Sequence, residues 1–75
     1  MCKAFACDTV VIDEGDERLL RYCVSEVSEL DARETLERYL KDQRWESISV
    51  RQIRAATPGE ATEYALPVGG IKLML

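Results

Sequence analysis

Two stretches near the start of the chain alternate with a period of two. In residues 3–13, Phe5, Cys7, Thr9 and Val11 fall on one side, and Ala4, Ala6, Asp8 and Val10 on the other. Residues 17–27, "ERLLRYCVSEV", alternate in the same way. Period-two alternation rich in β-branched and aromatic residues predicts strands, and the Gly-containing connection predicts a β-hairpin. With Glu14-Gly15 as a two-residue loop, Asp13 faces Asp16, Asp8 faces Arg21 and Val10 faces Leu19. On the other side Phe5, Cys7 and Thr9 meet Val24, Tyr22 and Leu20. That register separates an apolar face from a charge-paired one, as a half-covered sheet requires. A three-residue loop with a Gly bulge is the competing register, and it places Cys7 opposite Arg21.

The period then lengthens. Ala32, Leu36, Tyr39 and Leu40 lie at i, i+4, i+7 and i+8, the stripe of an amphipathic helix. Asp31 followed three residues on by Glu34 has the pattern of a capping box, with Ser28 as a rival N-cap. Glu34 with Arg38, and Glu37 with Lys41, are spaced for favourable i,i+4 pairs. Such a helix must lay its one apolar side on the sheet. From Trp45 alternation returns, with Ile48 and Val50 on one face and Ser47, Ser49 and Arg51 on the other, predicting a third strand.

Thr57 as cap, Pro58 at the first helical position and Glu60 three residues after the cap predict a short second helix ending before Pro67. A turn at Gly69-Gly70 then leads into a short fourth strand, "IKLML". The alternative for this region makes residues 61–66 a strand. The expected architecture is a small two-layer α+β domain: a hairpin, a helix and a third strand (a ββαβ core), with a short helical or stranded C-terminal tail.

Size now limits function. Seventy-five residues make a single domain, 1–75, whose thin core can hardly surround a deep substrate cavity. A chain 47% apolar and 32% charged is a globular composition rather than a disordered one. Its net charge of −4, with the basic residues scattered, disfavours direct binding to nucleic acid or to an anionic membrane. No apolar run approaches a membrane span or a secretory signal, and three cysteines do not make a disulfide framework. A reducing cytoplasm is the expected location.

Chemistry-bearing motifs are few. No histidine occurs, which removes the commonest general base and every Ser-His-Asp or Cys-His arrangement. Gly69-Gly70 lacks the spacing and the following Lys of a phosphate loop. Cys2, Cys7 and Cys23 fall short of the four ligands of structural zinc. In the preferred register Cys7 and Cys23 lie on opposite faces, so they read as small apolar residues, and Cys2 as an exposed thiol. No catalytic residue, metal ligand or cofactor is expected.

What remains is the loop between the first strands. "DEGDE" places Asp13, Glu14, Asp16 and Glu17 around one glycine. It is not a calcium EF-hand loop: the glycine is third rather than sixth, and the twelfth position is Val24 rather than Glu. It is a hairpin turn first. Four mutually repelling charges where neutral turn residues would serve as well make an acidic contact surface its best functional use. Trp45, at a helix-to-strand junction, reads as core edge first and as a partner anchor second.

The expected function is therefore a non-enzymatic binding protein that inhibits or modulates a larger protein. Asp13, Glu14, Asp16, Glu17 and Trp45 would occupy a basic, nucleic-acid-handling surface of that partner. Glu26 and Glu29 join only if the partner spans the hairpin. Small inhibitors from phages and mobile elements, anti-CRISPR proteins among them, share this scale and charge. Strand addition at an open sheet edge is a second mode of contact. The alternative function is an assembly subunit, a homo-dimer or larger homo-oligomer joined through the apolar face of Ala4, Ala6, Val10, Ile12, Leu19 and Cys23.

Overall fold

A computed structural model describes residues 3–74 of the chain. Strands β1 (Lys3–Asp13) and β2 (Asp16–Glu26) form the hairpin, α1 (Glu29–Lys41) follows, and β3 (Ser47–Ala55) returns to the sheet. A short helix, α2 (Pro58–Glu63), and a three-residue strand, β4 (Ile71–Leu73), complete the chain. The sheet is antiparallel in the order β3-β1-β2-β4. The small α+β domain expected from the periodicities is the one observed.

The hairpin register is the one with a two-residue loop: Asp13 faces Asp16, Asp8 faces Arg21, and Cys7 faces Tyr22. Phe5, Cys7, Tyr22 and Val24 therefore share a face with Val50, and α1 lays Ala32, Leu36 and Leu40 on them. Cys7, Val24, Ala32, Leu36 and Leu40 are sealed from solvent. Tyr39 flanks this stripe and meets Tyr22 edge to face, ring centroids 6.1 Å apart.

Two details of α1 differ from expectation. Its N-cap is Ser28, whose hydroxyl accepts from the Asp31 amide at 3.1 Å and donates to the Asp31 carboxylate at 2.9 Å. Asp31 thus occupies the third helical position and completes the cap from inside, one turn earlier than an Asp31–Glu34 box would start the helix. The pairs Glu34–Arg38 and Glu37–Lys41 are not among the ion pairs of the described residues. On a solvated helix face the entropy of two long side chains offsets the small Coulomb gain.

A bulge interrupts β3. Thr9 faces Val50 and Asp8 faces Gln52, so Arg51 is the extra residue. The bulge shifts the alternation by one and returns Ile53 to the core face, where it packs beside the buried cluster. The Arg33 guanidinium donates to the Val50 carbonyl next to the bulge, at 3.1 Å.

The chain after Ala55 covers part of the opposite face. Thr57 and Glu60 form a full capping box, and the Glu60 carboxylate is gripped by both terminal nitrogens of Arg54, at 2.8 and 3.0 Å. Arg54 faces Ala6 across β3 and β1, which places α2 over that face. Gly69, at φ 82°, supplies the left-handed residue of the turn closed by the Gly70 amide on the Pro67 carbonyl. Backbone bonds between Ser25 and residues 69 and 70 then lead into β4. Beneath this cover Ala6 and Cys23 are at most 1% exposed.

Candidate functional site

Strand length decides what stays bare. Eleven-residue strands reach about 36 Å, and the long axis of the molecule is 38 Å. The thirteen-residue α1 spans only about 20 Å, enough for the rows from Phe5 to Val11. On the other face the C-terminal cover lies over Ala4, Ala6, Cys23 and Ser25, at the end away from the loop. The hairpin tip thus projects beyond both covers.

At the tip Glu14 and Gly15 have φ of 52° and 82°. Two successive left-handed residues make the turn type whose twist matches the strands, and it favours Asn-Gly or Gly-Gly. Glu14 therefore sits where Gly, Asn or Asp would be less strained. Asp13 is half-buried and approaches Arg18 at 3.5 Å, a weak, solvated pair. Glu14, Asp16 and Glu17 are exposed and take part in none of the ion pairs of the described residues.

Trp45 lies at the same end. The Glu46 amide donates to the Ile12 carbonyl at 2.8 Å and fixes the segment after α1 against the hairpin. The half-buried Trp45 ring packs on the core edge, and its Nε1 donates to Gln43 Oε1 at 2.8 Å. Asp13, Gln43, Arg44 and Trp45 together line a shallow hollow. The structure thus brings Asp13 and Trp45 together, while Glu14, Asp16 and Glu17 stand out from them on the turn and the first residues of β2. Arg44 and Arg18 temper the charge on the Asp13 side.

A further hollow of about 310 Å³, which the sequence did not single out, lies on the face opposite α1. Val10 and Leu19 form part of its lining, with the Asp8–Arg21 pair (2.6 Å) and Arg51 around it. Leu19 is 77% exposed, well above the other large apolar residues of the sheet. The signal available in advance was the apolar character of this face. Which half the tail would cover was not legible.

The cysteines carry no evident chemistry. Cys7 lies in the core, and burial pushes its thiol up to about 11. Cys23 lies on the opposite face, as the register predicts, and burial raises its thiol, with a contribution from Glu60. Neither presents a thiolate near neutral pH. The expectation for Cys2 lies outside the described residues. Among the described residues no three His, Cys, Asp or Glu side chains cluster to hold a metal, and no helix is long and apolar enough to cross a membrane.

Comparison with known protein families, curated proteins and solved structures finds no match.

Proposed function

We propose that this chain is a small, acidic, non-enzymatic binding protein that inhibits or modulates a larger protein by setting its hairpin tip on a basic surface. The observation that carries the reading is the projection of the tip: Glu14, Asp16 and Glu17 stand exposed beyond both covering layers, outside the ion pairs of the described residues. A turn needs no such charge. A narrow acidic projection suits a basic cleft, and clefts of that kind are characteristic of proteins that handle nucleic acid. An inhibitor of the anti-CRISPR type, acting in the cytoplasm, is one form of this activity. Trp45, fixed beside Asp13, supplies an aromatic anchor of the kind enriched in binding hot spots.

Replacing Asp13, Glu14, Asp16 and Glu17 by Ser tests it. None of these side chains belongs to the buried cluster, so the melting temperature should hold or rise as repulsion is relieved. Affinity for the basic partner that the wild type retains should fall at least about tenfold, with a shallower salt dependence. Unchanged affinity moves the interface elsewhere. The exposed Leu19 beside Val10 favours a second reading, a homo-oligomer joined through this uncovered strip.

A further inference from the structure

Among the described residues, the outer edge of β2 is occupied along only half its length. β4 pairs with Tyr22, Cys23 and Val24, and the Met74 amide adds a bond to the Arg21 carbonyl at 2.7 Å. Nearer the tip, residues 16–20 have β1 on one side and no strand on the other among the described residues. The direction of the free groups follows from the bonds already made. Arg21 and Ser25 turn their backbone polar groups toward β4, so the alternation of an antiparallel strand turns those of Glu17 and Leu19 the same way. Two amides and two carbonyls thus face outward, beside the Val10–Leu19 hollow.

The other edge of the sheet is blunted. β3 carries a bulge, and Arg33 occupies the Val50 carbonyl beside it. Devices of this kind keep edges from pairing with other chains. The β2 edge has neither device.

A second copy of this edge fits poorly. Antiparallel self-pairing through the outward groups, short enough to spare β4, sets either Glu17 against Glu17 or Arg18 against Arg18. Like charges directly opposite are destabilising. A basic strand meets no such obstacle.

We propose that residues 16–20 of β2 accept an extended, basic segment of a partner protein as an added antiparallel strand in line with β4. The inference rests on the acidic-surface reading above and gives it a mode of contact. Each position of the incoming strand has defined chemistry. Opposite Leu19 an apolar residue continues the row begun by Val10 and Leu19. Opposite Glu17 and Asp16 stand Lys or Arg, while the position facing Arg18 is free of basic residues. Read in the direction of β4, the segment is apolar, any non-basic residue, basic, basic. Main-chain bonds supply the affinity and the flanking acids the selection.

The probe is an end-blocked peptide of about six residues beginning Val-Thr-Lys-Lys, which stops short of the Met74 position opposite Arg21, added up to about 1 mM to the full chain. The expected result is slowed hydrogen exchange at the Glu17 and Leu19 amides on binding. N-methylation of the Val, which removes the donor to the Leu19 carbonyl while keeping the charge, should weaken binding about fivefold or more. Leu19→Pro removes the outward Leu19 amide at a position where an edge strand tolerates proline, and should weaken it as well. If Leu19→Pro fails to fold, the N-methylated peptide decides alone. Equal binding of the methylated peptide, unchanged exchange at both amides, or no binding at all overturns the proposal. The retained partner separates the two readings: loss with the four-Ser variant but not with Leu19→Pro removes the added strand and leaves the acidic tip standing. Loss with both supports the proposal, whereas loss with Leu19→Pro alone would leave strand addition without selection by the acids and would overturn the basic segment proposed here.

Discussion

Thr9 lies under α1 in the middle of β1, 1% exposed, and its hydroxyl is the buried side-chain oxygen without a hydrogen-bond partner among the described residues. A buried hydroxyl in that position costs about 1–3 kcal/mol, whereas an apolar group of the same shape carries no such penalty. Thr9→Val should therefore stabilise the fold by about 1 kcal/mol, seen as a higher urea midpoint at constant m-value. A lower midpoint would mean that the hydroxyl has a partner after all. Nothing in the sequence marks this atom, because Thr is a good strand former and its alternation is regular. The Asp8–Arg21 pair, by contrast, was legible, since the two-residue loop dictates which residues oppose each other.

Elements were legible where periodicity and capping agree. α2 carries no buried residue, yet Thr57, Pro58 and Glu60 sufficed to place it. α1 was placed by its stripe, while its start was blurred by two capping residues three positions apart. The β3 bulge was not legible, because the apolar positions Ile48, Val50 and Ile53 break the period in a way that fits a bulge or a strand end equally well. The grip of Arg54 on Glu60 attaches α2 to the sheet, and it has a pH signature. Arg54, together with the Thr57 amide, holds the Glu60 carboxyl down at about 2, against an ordinary value of 4.5. The folded value is the lower one, so this attachment is complete above about pH 4.5 and is lost as the pH falls toward about 2. Glu60→Gln should melt at a lower temperature than the wild type near neutral pH, with the difference closing as the pH approaches about 2. A difference that persists in acid would assign the role of Glu60 to packing rather than charge.

Across the whole molecule, the two layers are shorter than the hairpin they cover. That mismatch makes the acidic tip a projection, while the three-residue β4 leaves residues 16–20 of β2 without a neighbour on their outer edge among the described residues. The lengths of the two hairpin strands could be read in advance. The path of the chain after Ala56 could not, because a six-residue helix and a three-residue strand carry too few apolar positions to fix where they dock. The uncovered part of the sheet, with Leu19 and the free edge, became visible only once that path was known. Glu14, Asp16 and Glu17 were recognisable from composition alone, and the structure supplies their setting.

The most direct test is affinity capture from a lysate of the source organism with the tagged full chain, washed at low and at high salt. The expected result is retention of a basic, nucleic-acid-handling protein at low salt, its release at high salt, and its absence when the four tip acids are Ser. Recovery of the chain alone, as an oligomer that resists salt, would contradict the acidic-tip reading and assign function to the uncovered apolar strip.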